Sequence, residues 1–369
     1  MIGSIFPVCY GFRGISGFEE RFIRRHTWKW VVGCVVVGLL AWWFVQSELA
    51  SRAFDWGVFA RAVGRLHWPW LLLSLIPIFG TYYGRALRWA IFLKPLKPRP
   101  SMRNLLVATV IGFTAITLFG RAGDFVRPYL IAVKEKVPVT SQLAAWLLER
   151  IFDLLMASLL LGFALSRVQA SAVQVGPKLQ WVLTFGGKIV GVACLVVLIV
   201  LLSLRHFAEP VRHRLIAAAR WLPERWSGRV EKAITALVKG VESTRSDGAL
   251  LLIFAYSVLE WALIAACYWC LAQAFVGIIN ITFVDVLILM GFVSFGGVVQ
   301  IPGVGGGTQV VAILVLTELY GIRLELATSF ALLLWILTFV AIVPIGLALA
   351  LKEGLDWHSL RQLGREATE

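Results

Sequence analysis

The sequence predicts an all-α polytopic membrane protein, with about six full spans plus two re-entrant or broken helical hairpins in an inverted-repeat arrangement. Three observations lead there. The 369 residues are 59% hydrophobic and 15% charged, against about 25% charged in soluble domains, and several windows exceed the roughly 18 apolar residues a helix needs to cross a bilayer core. Two further apolar segments are interrupted by glycine and proline. The basic residues behind the net charge of +14 gather between the apolar runs, as they do in cytoplasmic loops. That placement assigns them to topology and to anionic lipid headgroups rather than to nucleic acid.

In chain order, residues 1–28 form a basic N-terminus with Arg13, Arg21, Arg24 and Arg25, expected to be cytoplasmic. The apolar run that follows has the order of a signal peptide. Its basic region is too long and no A-x-A site follows, so it reads as a retained first span. The full spans are expected at about 29–46, 70–93, 140–166, 181–204, 249–274 and 326–351. The broken segments are 103–135 and 284–322. The loop 94–103 carries Lys94, Lys97, Arg99 and Arg103 without an acid, and 205–247 carries nine Lys/Arg against five Asp/Glu. Both are expected on the cytoplasmic side of the inner membrane, with the tail 352–369. The loop 46–69 fits that rule less well, because it holds Arg52, Arg61 and Arg65. Segment 205–247, with Trp221 and Trp226 among its arginines, reads as a basic amphipathic linker on the membrane surface.

For the basic loops to share one side, each broken segment must enter and leave on the same face. The transmembrane domain, 29–351, then divides into a first half, 29–166, and a second half, 181–351. Each half has three crossings and one hairpin, so the second is inverted relative to the first. Broken helices meeting near the midplane of inverted repeats recur in transporters.

Three constellations carry candidate chemistry. In Gly120-Arg-Ala-Gly-Asp-Phe-Val-Arg-Pro128, Gly120, Gly123 and Pro128 permit a turn. Arg121 and Arg127 are costly in lipid, but in a polar cavity guanidinium groups pair with phosphate. Asp124 stands three residues from each. The alternative is an interfacial loop whose arginines snorkel. In Glu149-Arg150-Ile-Phe-Asp153, helical spacing puts Glu149 and Asp153 on one face and Arg150 within reach of Asp153. These groups either complete the cavity or lock two helices together. In Gln300-Ile-Pro302-Gly303-Val-Gly305-Gly306-Gly307-Thr-Gln309, the glycines suit a tight re-entrant turn, and their backbone N–H groups could face an anion. Gln300 and Gln309 flank that turn as cavity candidates.

Glu260, about midway along 249–274, is a candidate proton carrier or ion-pair partner. Arg85 and Arg88 fall near the expected cytoplasmic end of their span, where snorkelling accounts for them. Cys267-Tyr-Trp-Cys270 has CxxC spacing but sits inside an apolar helix and reads as packing. The five histidines fall mostly in loops; neither a metal site nor a cofactor is expected, and no catalytic residue or catalytic domain is read.

At the three constellations the chain resembles the lysylphosphatidylglycerol synthase transmembrane-region family of flippase-like membrane proteins. That family shows a G-R-x-G-E-x-x-R-P-x-x-L element, matched through its proline by residues 120–128, and an E-R-x-x-D-L-L element, matched by 149–155. Its late P-G-G-x-G-x-x-E element is matched by 302–309. Asp124 stands where glutamate is usual. Gln309 stands where glutamate is frequent, so a role needing charge there does not carry over. The resemblance implies the translocating part alone, without the aminoacyl-lipid synthase domain of larger members.

Together these readings suggest lipid translocation across the cytoplasmic membrane. An anionic or phosphate-bearing lipid would be held by Arg121, Arg127 and Arg150, with Asp124, Glu149 and Asp153 as counter-charges, and a lipid-biosynthetic enzyme is a candidate partner. The alternatives are a membrane-embedded enzyme modifying a lipid headgroup or polyprenyl phosphate, and an interaction protein recruiting a partner through 205–247.

Overall fold

The computed structural model describes residues 54–170, 246–297, 300–301 and 305–354, with isolated positions at 192, 196 and 199. The expected spans at 29–46 and 181–204, the N-terminus 1–28, nearly all of the linker 205–247 and most of the tail lie outside them, as do Pro302 and Gly303.

Helix α1 (Trp56–Gly64) precedes a long helical run made of α2 (Trp68–Leu73) and α3 (Leu75–Leu93). The chain bends by 77° between α1 and that run. Part of the segment expected as a loop is therefore a helix set across the next one. Its basic residues Arg61 and Arg65 face outward beside the exposed Trp56 and Trp68, a mixture that suits a membrane–water interface better than a topology signal.

The first broken segment folds back on itself. Helix α4 (Met102–Phe119) starts at Ser101, whose hydroxyl caps Asn104 N, and a 3₁₀ turn (Gly120–Phe125) leads into α5 (Val126–Glu135). Gly120 opens the turn at φ +64°. At the base, the Glu135 carboxylate accepts hydrogen bonds from Asn104 Nδ2 (2.7 Å) and Ser101 N (3.2 Å) and pairs with Lys97 (2.7 Å). Both ends of the hairpin thus lie at one level. Near the tip, Gly123 presses on the Ala115 backbone, with no room for a Cβ. Pro128 falls in the first turn of α5, where a missing N–H leaves no helical bond unmade.

Helix α6 (Val139–Ala170) and, after the linker, α7 (Asp247–Ala274) are long and apolar. The second broken segment is also a hairpin. Helix α8 (Phe283–Gly296) opens with a capping box in which Thr282 and Asp285 satisfy each other's backbone N–H groups. A two-residue antiparallel pair follows, β1 (Gln300–Ile301) with β2 (Gly305–Gly306), aligning Gln300 with Gly306. Helix α9 (Gly307–Glu318) returns, Gly307 lying against the Gly296 backbone. At the base the Tyr320 hydroxyl donates to Asp285 O (3.4 Å). The last run is α10 (Leu324–Trp335), a π turn (Ile336–Val340) and α11 (Val343–Lys352).

The two hairpins enter from opposite ends of the bundle. The second hairpin's base leads directly into α10, and α11 ends at the first hairpin's base, where Lys134 pairs with Glu353 (2.5 Å). Their tips meet: Arg121 Nη2 donates to Gly297 O (2.9 Å), and β1 packs on the 3₁₀ turn. Helix α3 packs along α7, α8 against α6, and α11 against α4.

Among the described residues four helical runs are long and apolar enough to cross a membrane, or five if the bent pair α1 with α2–α3 counts as one span. One of the four, Met102–Glu135, is the folded-back first hairpin. Cys267 and Cys270 are buried free thiols in α7.

Two apolar cores fill the bundle. One gathers around Ile78, Leu161, Leu271, Leu289 and Phe330, the other around Trp89, Ile111, Ile131, Leu148 and Ile253. Helices α3, α6 and α7 contribute to both, and where the two cores meet each carries charged residues: Arg85 and Arg88, Asp153, and Glu260.

Replacing Gly123 with valine forces a side chain into the Ala115 backbone, and overpacking of this kind costs about 1–3 kcal/mol. Thermal unfolding in detergent is expected to show a clear drop for Gly123→Val. It should show little change for Gly162→Ala on α6, where a Cβ meets nothing within 4 Å.

Candidate functional site

The polar layer between the cores is an ion network. Arg88 of α3 is fully buried. Its Nη1 donates to Asp153 Oδ1 (3.0 Å) and Ser257 Oγ (2.9 Å), its Nη2 donates to Glu149 Oε1 (2.7 Å), and Glu260 Oε2 lies 3.2 Å away. Arg127 Nη1 contacts both Glu149 oxygens at 3.1 and 2.9 Å. Its guanidinium lies 4.1 Å from the Trp89 ring centroid, a cation–π stack. Gly112 permits this placement, because the Arg127 Cβ occupies the space a side chain there would need. Arg85 pairs with Glu260, lies 4.0 Å from Asp153 and sits 4.5 Å from the Phe113 ring centroid. Arg150 pairs with Asp153 (3.1 Å) and lies 3.4 Å from Glu149.

The local sequence dictates this convergence. Arg85 and Arg88 are one turn apart on α3, Ser257 and Glu260 one turn apart on α7, and Glu149 and Asp153 one turn apart on α6, so each helix turns one charged edge inward. Four guanidiniums meet three carboxylates, which leaves an excess of positive charge. Arg121 and Asp124, 3.6 Å apart at the hairpin tip, do not alter that excess. In so apolar a setting a lone charge would be costly, so the network is stable only as a set.

Beside the network lies a cavity of about 380 Å³. Arg85, Arg121 and Arg150 line it with Asp124, Asp153 and Glu260. Much of the remaining lining is apolar, with Ile264, Met290, Val293 and Phe339 among others. Both hairpins contribute, and so does the π turn, where Thr117 donates to Phe339 O (3.1 Å). A π turn inside a helix frequently marks a functional position.

The sequence-predicted residues divide accordingly. Arg121, Asp124, Arg150, Asp153 and Glu260 come together at the cavity. Glu149 and Arg127 lie behind its wall, bonded to each other. Gly120, Gly123 and Pro128 shape the first hairpin, while Gly305, Gly306 and Gly307 shape the second. Gln309 accepts from Gly306 N (2.6 Å) and so closes its turn instead of lining the cavity. Gln300 is placed by its backbone in β1. The expectation that Arg85 and Arg88 snorkel is corrected: Arg88 is wholly enclosed, and Arg85 is a cavity residue only 13% exposed in its side chain. The inward carboxylates of α6 and α7 hold both. The signal available was their i, i+3 spacing, shared with Ser257 and Glu260.

A family model, lysylphosphatidylglycerol synthase TM region, matches residues 30–346. The chain belongs to that family. It is an integral membrane protein of a family associated with lipid biosynthesis or translocation. No curated protein and no solved structure matches it. The match spans both hairpins and every residue of the ion network.

Removing Arg127 leaves Glu149 without its two-oxygen partner. Breaking a buried pair from one side costs about 3–5 kcal/mol. Arg127→Ala is therefore expected to lower thermal stability severely in detergent, and Arg127→Lys to recover part of the loss. Arg121→Ala, at a half-exposed tip residue, should cost far less by the same measurement.

Proposed function

We propose that the protein translocates a lipid with an anionic or phosphate-bearing headgroup across the cytoplasmic membrane, binding that headgroup in the intramembrane cavity. The observation that carries this reading is the set of three guanidiniums, Arg85, Arg121 and Arg150, facing one cavity between two hairpin tips. Arginine pairs bidentately with phosphate, and the network's excess positive charge favours an anion. A volume of about 380 Å³ suits a headgroup and leaves the acyl chains in the bilayer. Each carboxylate lining the cavity lies within ion-pair distance of an arginine. That arrangement favours binding over general-base chemistry, and hence translocation over modification of the headgroup.

The architecture supports the same reading. In our proposal the chain has six spans in two inverted halves, 29–166 and 181–351, with the termini and the basic linker 205–247 cytoplasmic. The first hairpin rises from the cytoplasmic side, where the basic loop 94–103 precedes it. The second descends from the opposite side. Each half follows the order span, span, hairpin, span, and each hairpin packs on the final span of the other half: α4 on α11, and α8 on α6. Such a crossed arrangement gives two gates that can open in alternation on either side of one site.

Proteoliposomes carrying a fluorescent anionic phospholipid test the proposal. The wild type is expected to accelerate exchange between leaflets. Arg150→Ala should slow it by roughly ten- to a hundredfold, the weight of one charged hydrogen-bonding partner, with Arg150→Lys in between. Equal rates with protein-free vesicles, or equal rates in all three proteins, would rule it out.

A further inference from the structure

The five arginines of the site differ in how firmly they are held. Arg127 is bonded to both Glu149 oxygens and stacked on Trp89. Arg88 is enclosed, with hydrogen bonds to Glu149, Asp153 and Ser257. Neither lines the cavity. Arg121 and Arg150 face it and are partly exposed. Arg85 also faces it, yet its closest acidic partner is the nearly inaccessible Glu260, and its Nη1 has no hydrogen-bond partner among the described residues. The Glu260 carboxylate is unusual in turn. It lies within ion-pair distance of both Arg85 and Arg88, but neither guanidinium is aligned to make a hydrogen bond to it.

From this geometry we infer that Glu260 is a resting counter-ion which the cargo's anionic group displaces from Arg85, Arg88 then holding Glu260 alone. The inference rests on the proposed binding of an anionic headgroup in this cavity. Three features make the exchange feasible. Glu260 keeps a cation 3.2 Å away when Arg85 turns, so no carboxylate is stranded in the apolar interior. Arg85 is steadied by the Phe113 face at 4.5 Å, a contact that holds the guanidinium without using its N–H donors. Asp153, its other acidic neighbour, lies at 4.0 Å and has closer partners in Arg88 and Arg150. Arg85 is thus the cation whose bonding is least complete, and an incoming phosphate offers it two aligned acceptors. Glu260 competes with the cargo. It lowers affinity, and it returns Arg85 to its starting partner when the cargo leaves.

The consequence runs against the usual result of altering a binding site. Neutralising Glu260 should tighten binding of an anion, and only while Arg85 is present. The test measures binding of short-chain phosphatidylglycerol to the full chain in detergent, with short-chain diacylglycerol as the control lacking phosphate. Glu260→Gln is expected to bind phosphatidylglycerol on the order of tenfold more tightly than wild type. In an Arg85→Ala background the same substitution should change affinity by less than about twofold, the signature of direct coupling in a double-mutant cycle. If Arg85→Ala does not fold, Arg85→Lys serves, with a reduced gain expected. Unchanged or weaker binding by Glu260→Gln would overturn the exchange while leaving the headgroup site standing. So would a gain that persists in full without Arg85, which would reflect the general field alone. A wild type that does not prefer phosphatidylglycerol to diacylglycerol would instead remove the proposed headgroup site, and this inference with it.

Discussion

The fold is organised around the Arg88–Glu149–Arg127 bridge. Arg88 is fully enclosed, Glu149 equally so, and Arg127 nearly so. Three elements of distant sequence, α3, α6 and the first hairpin, meet at those groups. Helix α7 joins them through Ser257 and Glu260. In water each group would be amply solvated. In a helix bundle whose outer surface is apolar, the set is favourable only when every member has its partner. The bridge therefore fixes more than stability. It sets the register of α3 against α6 and α7, and it pins the first hairpin at a depth where its tip can reach Gly297. The cavity is a by-product of that register: it opens where the helices are held apart by polar side chains instead of packing with apolar ones.

The hairpins solve a related problem. Turning the chain inside an apolar layer exposes backbone groups that only protein or water can satisfy. Here the first tip uses a 3₁₀ turn. The second uses a two-residue strand pair with Gln309 closing onto Gly306 N. Glycines at the contact points let backbone approach backbone, as with Gly123 on Ala115 and Gly296 on Gly307. Sequence is most directly legible at these positions, since glycine and proline clustered inside a long apolar run serve chiefly to turn the chain or to let it pack closely. Both segments read as broken from the residues alone, and the 120–128 element reads as charged for a reason.

Sequence is least legible where spatial depth has to be inferred. Arg85 and Arg88 look peripheral because they lie near the end of an apolar run and close to the basic stretch 94–103. Their depth follows from helix packing, which sets them opposite Glu260, midway along a 28-residue helix. Arg127 looks like a cavity residue because its neighbours in the motif are. Its position in the first turn of α5, facing Gly112 and Trp89, turns it the other way. The segment 46–69 looks like a loop because its charges and aromatics break the apolar pattern, yet a short amphipathic helix needs only a few buried positions, here Ala62 with the partly buried Val63. In each case the residue types are informative, while direction depends on contacts between distant segments.

A division of labour follows from the placement of charge. The enclosed pairs, Arg127 with Glu149 and Arg88 with Glu149 and Asp153, are joined by short, aligned hydrogen bonds away from the cavity, so a ligand could gain little from them and would disrupt much by trying. Arg85 and Arg150, facing the cavity, have shared or loosely aligned carboxylate partners, and exchanging one acceptor for another there costs little. A binding site that must also release its cargo benefits from that second kind of contact, because affinity which ruptured the network would trap the cargo. On the proposed function, the surrounding bridge supplies rigidity and the rim supplies reversibility. Rigidity alone would give a structural ion lock. On that proposal, the rim of Arg85, Arg121 and Arg150 is what distinguishes this site from one.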